Sequence, residues 1–306
     1  MKMNLVSIQA GPYVEGDTDE LYMEKQIDLM REAVEKQHPY LVLFPEMMTG
    51  AYFGLVTDKK WFEKAESFEN GPTTKLMVEQ AKELNVHICY SLYEKDDSGE
   101  TPVYYNTVGL VSPTRGVIGK YRKIHVPAVE DRSISKVAEK FYFSKGDKAP
   151  EVFELDNGIK VGLLICYDRS FPELWRSYFL MGAQIICAAT CTMGDRSDMF
   201  VPEFRTIALE THTFLMAANR AGYEQVEGEE EPRHHFGKSS IIGPIGNVLD
   251  TTEDEPWTYV TGEFDTEKLV WANSRWHWMR DRRPEFYHTL VSPDYVVAPN
   301  FKYEIQ

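Results

Sequence analysis

Three short stretches of this chain carry side chains that together could open a carbonyl carbon to attack. In the run Val161-Gly-Leu-Leu-Ile-Cys-Tyr-Asp-Arg-Ser-Phe-Pro-Glu173, an apolar strand pattern, Ile159 to Ile165, leads straight into the thiol of Cys166. Polar residues follow at once, and Pro172 with Glu173 open a helix. A sulfur at the carboxyl end of a strand and ahead of a helix faces a cleft, and the helix dipole is expected to favour thiolate over thiol. A thiolate is a strong nucleophile. Phe44-Pro-Glu46 follows the apolar run Leu41 to Phe44, and Gly119-Lys-Tyr-Arg-Lys123-Ile-His125 ends the run Val117 to Tyr121. Glu46 would take the thiol proton and return it to a leaving amine, as general base and then general acid. The Lys123 ammonium, helped by a backbone N–H just after the cysteine, would stabilise the developing oxyanion. Each has a plainer reading when taken singly. Pro-Glu commonly starts a helix, Lys123 lies in a basic run of the surface type, and a cysteine after a strand often fills a core.

Bringing the three together needs strand ends that gather in one crevice, as they do in a mixed α/β sheet. The hydropathy pattern supplies such a scaffold. Leu5 to Gln9 reads as a strand and Tyr22 to Lys36 as a helix with Ile27, Met30 and Val34 on one face. Leu41 to Phe44 is a strand buried on both faces, Pro72 to Leu84 a helix, and Val86 to Tyr93 a strand. Val103 to Val111 and Val117 to Tyr121 form a hairpin around Ser112-Pro-Thr-Arg-Gly116. A long polar connection, His125 to Lys148, reaches the Cys166 strand; its length points to a functional or partly helical segment. Glu173 to Met181 and Glu203 to Phe214 read as helices, with strands at Ile185 to Ala189 and Leu215 to Asn219. Strands follow at Ser239 to Ile242, Val248 to Asp250 and Tyr259 to Phe264. The acidic stretch Glu224 to Glu231 reads as a solvated loop. No linker or repeat divides the chain, so residues 1–306 read as one domain.

Composition excludes several roles. The net charge of −15 argues against nucleic acid and anionic membranes as partners. Hydrophobic residues at 43% and charged residues at 26% allow a large core. The four cysteines form no CxxC pair, and no zinc set completes Cys187 and Cys191, so no metal is expected. Cys89 and Cys187 sit in apolar strand patterns as core filler. A reduced, cytoplasmic protein fits this cysteine usage. The opening residues read as a first strand rather than a signal peptide, and no run of about 18 apolar residues would span a membrane.

Phe-Pro-Glu46, Gly119-Lys-Tyr-Arg-Lys123-Ile-His and Cys166-Tyr-Asp-Arg-Ser-Phe-Pro-Glu173, in this order, resemble the nitrilase superfamily of carbon–nitrogen hydrolases. The resemblance extends over almost the whole chain, through Tyr142-Phe-Ser-Lys-Gly-Asp147, Gly182-Ala-Gln-Ile-Ile, Ala217-Ala-Asn219-Arg-Ala-Gly222, Gly237-Lys-Ser-Ser-Ile-Ile-Gly-Pro-Ile-Gly246 and Asp281-Arg-Arg-Pro-Glu285. It implies a four-layer α-β-β-α sandwich that works without metal or organic cofactor. It places the family's catalytic Glu-Lys-Cys triad on Glu46, Lys123 and Cys166. Ala138-Glu-Lys-Phe-Tyr-Phe143 resembles the segment that carries a second glutamate, hence Glu139, which would orient Lys123 or the substrate amino group.

Within that superfamily, nitrile hydrolysers tend to carry Cys-Trp-Glu at the nucleophile, whereas this chain has Cys166-Tyr-Asp, as in the amidase and carbamoylase branches. His125, the Glu-Lys-Phe-Tyr-Phe run and Arg169 resemble N-carbamoyl amino acid hydrolases. Arg169 would hold a substrate carboxylate bidentately, or else pair with an acid such as Glu173. His125, Tyr167 and Asn219 complete the expected substrate-binding set. The D-amino-acid carbamoylases carry two adjacent arginines where this chain has Arg169 and Ser170, which leaves a β-ureidopropionase-like enzyme or a plain amidase open. A non-catalytic scaffold on the same fold would have no need of all three triad residues. The expected substrate is a small amide or ureido compound. The family's habit of packing one sandwich on another implies a homodimer or higher homo-oligomer, with the aromatic segment around Trp276 and Trp278 and a tail from about residue 288 at such an interface or packed within the chain.

Overall fold

The computed structural model describes residues 1–127 and 137–292. The strands, in chain order, are β1 (Lys2–Gln9), β2 (Pro39–Leu43), β3 (His87–Asp96), β4 (Val103–Ser112), β5 (Gly116–Arg122), β6 (Phe153–Glu154) and β7 (Lys160–Ile165). They continue as β8 (Ile185–Ala189), β9 (Phe214–Ala218), β10 (Ala221–Glu224), β11 (Arg233–Phe236), β12 (Ser240–Ile242), β13 (Val248–Thr251) and β14 (Thr258–Asp265). The helices are α1 (Asp19–Gln37), α2 (Pro72–Leu84), α3 (Pro172–Leu180), α4 (Ser197–Thr211), α5 (Thr266–Arg275) and α6 (Trp278–Asp281).

Two six-stranded sheets form, one in the order β14-β1-β2-β3-β4-β5 and the other β13-β12-β9-β8-β7-β6. Alternation along the strands decides what each sheet faces. Leu5, Leu41, Leu43 and Leu110 point into a core shared with Leu163, Ile165, Cys187 and Met216 of the second sheet. Their neighbours Val6, Val42 and Phe44 point the other way, onto Ile27 and Met30 of α1 and Met77 and Ala81 of α2. The parallel strands β7, β8 and β9 are apolar at nearly every position because α3 and α4 cover their outer side. The layers are therefore helix, sheet, sheet, helix, as the superfamily resemblance implied.

Local signals explain the helices nearest the site. Thr18 caps α1 by accepting the Leu21 N–H, and Pro72 occupies the first turn of α2, where its missing N–H costs nothing. Gly162 lets α3 sit directly on the nucleophile strand: a Cβ there would stand 2.6 Å from the Tyr178 ring, whose hydroxyl donates to Leu163 O.

Several elements depart from the sequence reading. α4 begins at Ser197 rather than Glu203 because Pro202 is accommodated inside the helix instead of stopping before it. The stretch from Glu224 is not simply a solvated loop: it joins the two strands of the hairpin β10–β11, and Glu224 is buried. Helix α5 is additional to the sequence reading; Asp265 caps it by accepting the Glu267 N–H, and Leu269 and Ala272 form its buried face. Trp278 stacks on His212 at 4.8 Å and on Trp276 at 5.8 Å, which is packing within the chain. Part of the connection after His125, residues 128–136, and most of the tail, residues 293–306, lie outside the described residues.

Candidate active site

The ends of β2, β5 and β7 open at the same place. After β2 the chain turns through Pro45 and Glu46, with Met47 in the left-handed region at φ 56°. Ser91 of β3 holds this turn at both ends, donating to Pro45 O at 2.6 Å and accepting from Met48 N at 3.1 Å. Glu46 is fully buried and points at Lys123, just past β5. Lys123 Nζ donates to Glu46 Oε1 at 2.8 Å and to Glu139 Oε2 at 2.7 Å. Glu139 opens a short 3-10 turn, Glu139–Phe141, in the long connection.

The nucleophile strand ends in a sharp elbow. Cys166 has φ 46°, a left-handed conformation that L residues adopt only under constraint, and it starts the 3-10 turn Cys166–Ser170. Asp168 fastens this elbow. Its buried carboxylate accepts from Ile165 N–H at 3.1 Å, Tyr121 Oη at 2.7 Å and His125 N–H at 3.0 Å, and lies 2.8 Å from His125 Nδ1. One carboxylate thereby clamps the residues on both sides of Lys123 to the residue before Cys166.

Electrostatics assign the resting proton states. Burial works against the Lys123 ammonium, but the Glu139 and Glu46 carboxylates more than offset it and hold the lysine charged. Burial raises the Glu139 carboxyl above the usual range, with Lys123 pulling the other way. Burial, and then the Glu46 charge, push the Cys166 thiol up, against the pull of Lys123 and Arg169. The helix-dipole expectation of a standing thiolate is thus corrected, because α3 starts beyond an intervening turn while Glu46 is close. Glu46 Oε2 is buried without a hydrogen-bond partner among the described residues, while Oε1 is occupied by Lys123 and by Asn106 Nδ2 at 2.7 Å. An unengaged carboxylate oxygen beside a protonated thiol suits proton transfer during attack rather than before it. Alkylation of the substrate-free enzyme by iodoacetamide should accordingly keep accelerating as pH rises through the ordinary cysteine range. A rate at Cys166 that levels off at or below neutral pH, followed by peptide mapping, would contradict this.

A cavity of about 290 Å³ lies over the sulfur, with Tyr52, Glu139, Tyr167, Arg169, Thr192 and Arg196 in its wall. Arg169 is buried and does not pair with Glu173, which is exposed. Its Nε donates to Glu203 Oε2 at 2.8 Å and its Nη1 to Cys166 O at 2.9 Å. Those two atoms are thus engaged within the protein, Nη1 also lying 3.6 Å from Cys166 Sγ, and Arg196 donates to the same Glu203 through Nη2 at 3.0 Å. His125 stacks on Phe171 at 3.6 Å and is outside the cavity lining, so it supports the elbow rather than facing a substrate. Asn219 is likewise withdrawn: its Oδ1 accepts the Thr192 N–H at 2.8 Å and its Nδ2 donates to Gly237 O at 2.8 Å. Thr192 in turn stands 3.4 Å from Cys166 Sγ. Sequence reasoning missed Asn106, Thr192 and Tyr52. Only Asn106 left a signal, as a lone amide in the apolar run of β4.

A thiol on a left-handed elbow, a buried ammonium between two carboxylates and a small open-mouthed cavity define the equipment of a nucleophilic hydrolase of amide-like bonds on a sandwich fold. The chain matches the carbon-nitrogen hydrolase family over residues 6–270 and belongs to that family. It is 31% identical over 276 residues to an N-carbamoylputrescine amidase of Arabidopsis thaliana, covering 87% of this chain and 88% of the relative. It is 28% identical to a β-ureidopropionase of the same organism, covering 87% of this chain and 65% of that protein. The crystal structure of a carbon-nitrogen hydrolase from Helicobacter pylori G27 superposes with a TM-score of 0.86 at 25% identity, over 96% of this chain and 99% of that one. The chain is an enzyme of carbon–nitrogen bond hydrolysis within the nitrilase superfamily. Among the described residues no helix is long and apolar enough to cross a membrane, and no group of three His, Cys, Asp or Glu could hold a metal ion.

Proposed function

We propose that this enzyme hydrolyses an N-carbamoyl amino acid or ureido acid to ammonia, carbon dioxide and the free amino acid. The observation that carries this reading is the joint placement of the Glu46–Lys123–Glu139 cluster and two arginines around one thiol. Cys166 Sγ attacks the ureido carbon while Glu46 takes its proton. Lys123 faces the oxygen on which negative charge develops. Collapse breaks the bond to the terminal nitrogen, which leaves as ammonia with the proton returned by Glu46. The carbamoyl thioester is then cleaved by a water that Glu46 deprotonates, restoring the thiol and releasing a carbamate that loses carbon dioxide. The names of the relatives support the carbamoyl headgroup. Arg169 and Arg196 in the cavity wall support an acidic tail: they share the single carboxylate of Glu203, at 2.8 and 3.0 Å, which leaves two cations for one acid there.

A second reading has its own support: the relative from Arabidopsis thaliana is named for a carbamoyl compound whose tail is an amine. A plain amidase acting on a small aliphatic or omega-amide is a third outcome. An ammonia-release screen over ureido acids, N-carbamoylputrescine and simple amides separates the three, and the preferred class is the one with the highest kcat/KM. The acidic-tail reading further requires that Arg169→Ala and the less buried Arg196→Ala raise KM for a ureido acid by about tenfold or more, the scale of a charge-assisted hydrogen bond. Each should leave KM for the uncharged amide counterpart nearly unchanged. Equal losses on both substrates would make these arginines structural and remove the support for an acidic tail.

We further propose that the enzyme acts as a single domain, without cofactor, as a cytoplasmic homo-oligomer.

A further inference from the structure

Behind the cavity lies a buried ion pair that the chemistry above does not use. Arg220, between β9 and β10, is the largest fully buried side chain among the described residues. Its Nη1 donates to Glu224 Oε2 at 2.8 Å. Its Nη2 donates to Met47 O at 2.5 Å and Gly50 O at 2.7 Å, the backbone just after Glu46. Glu224, 3% exposed, accepts from Tyr13 N–H at 2.9 Å and, through Oε1, from Tyr52 N–H at 2.6 Å. The pair therefore binds both ends of one loop: Arg220 holds the start, which carries Glu46, and Glu224 holds the end, which carries Tyr52.

Tyr52 then reaches the other carboxylate. Its hydroxyl donates to Glu139 Oε1 at 2.5 Å, while Lys123 takes Glu139 Oε2. The backbone runs the same way: Ala138 N–H donates to Gly54 O at 2.7 Å, and a Cβ on Gly54 would stand 3.2 Å from Glu139 Cγ. A closed circuit results, from Glu46 through its loop to Tyr52, on to Glu139, and back through Lys123. We propose that Tyr52, seated by the Arg220–Glu224 pair, is a positioning residue of the hydrolytic site, fixing the orientation of Glu139 and thereby how Lys123 is shared between the two carboxylates. This rests on the roles given above to Glu46, Lys123 and Glu139.

A buried ion pair is costly to desolvate, and its best-attested use is to fix one arrangement among several. Here the arrangement fixed is the register of two acids about one ammonium. The groups facing Glu139 are Lys123, Tyr52 and Glu46; those facing Tyr52 are Glu139, Glu46, Cys166 and Cys191. Burial holds the Tyr52 phenol well above its usual range, so it remains a donor, and a donor on a carboxylate favours the ionised form. Loss of the hydroxyl must raise the proton affinity of the shared carboxylate pair.

The test is Tyr52→Phe, which removes one oxygen from a ring that otherwise stays packed. We expect kcat to fall by about tenfold to 100-fold, the range for losing a hydrogen bond to a charged group, with KM within about threefold of the parent. The acid limb of the pH profile should move to higher pH, since the site now holds its proton longer. Glu224→Gln, which preserves shape but removes the charge that Arg220 answers, should change kcat and the acid limb in the same directions. A Tyr52→Phe enzyme with the parent's kcat, a loss carried by KM alone, or an unmoved acid limb would overturn the proposal. So would a folded Glu224→Gln enzyme that is merely less heat-stable, with the parent's kcat and profile. If Glu224→Gln does not fold, Tyr52→Phe decides alone. Cys166→Ser, run alongside, reports on the hydrolytic reading itself: retained turnover there removes that reading, whereas the Tyr52 result speaks only to positioning.

Discussion

Cys166→Ser is expected to lower turnover on the order of 10⁴-fold or more, while the folded protein keeps its thermal midpoint within a few degrees. The magnitude follows from acidity. An alcohol gives up its proton far less readily than a thiol, and this thiol already resists ionisation in its buried setting beside Glu46. In the proposed mechanism Glu46 deprotonates sulfur in the course of attack; with an alcohol it would have to supply a much larger driving force. The fold should survive because serine differs by one atom and tolerates the left-handed elbow that Asp168 fastens. Near-parent activity in the serine variant, measured as ammonia release, would remove the nucleophile assignment. Mass mapping after iodoacetamide offers an independent check, because Cys89, Cys187 and Cys191 are buried and only Cys166 is partly accessible.

Glu46→Gln and Lys123→Ala should each reduce kcat by at least about 100-fold, the scale of a lost general base or oxyanion partner. For Lys123→Ala the loss has a second source. The lysine is the cation between two buried carboxylates, and without it Glu46 and Glu139 cannot both stay ionised. One of them will take a proton, and if that is Glu46 the base disappears along with the ammonium. Glu139→Gln removes one partner of Lys123 but leaves the base in place, so its effect should be comparable or smaller. A Lys123→Ala enzyme whose KM rises while kcat holds would assign Lys123 to binding and refute the oxyanion role.

The parts of this site that could be read in the sequence were those where a reactive side chain interrupts or ends an apolar run. Cys166 after Leu163-Leu-Ile165, Glu46 after Leu41-Val-Leu-Phe44 and Lys123 after β5 all have that form. Strand ends are where a buried backbone gives way to a crevice, so the pattern itself carries the position. Glu139 had no such pattern and came from resemblance. The supporting residues were less legible because their roles depend on contacts between distant segments. His125 and Asn219 lie beside or within family landmarks and read as ligand-facing, yet one braces Asp168 and the other braces Thr192. Arg169 follows the nucleophile directly and so reads as cleft-facing, but its partner Glu203 lies 34 residues on in α4, and nothing local shows that the two will meet. Glu224 sat at the head of an acidic run that looked solvated, because nothing local shows that Arg220 will be folded onto it.

The proposed reacting groups also come from different halves of the sandwich. Glu46 and Lys123 follow strands of one sheet, and Cys166 follows a strand of the other. The apolar layer between the sheets is thus what keeps nucleophile and base in register. Neither half can lose its grip on the other and leave a working pocket behind. Heat or denaturant that parts the two sheets should therefore abolish catalysis at the same step.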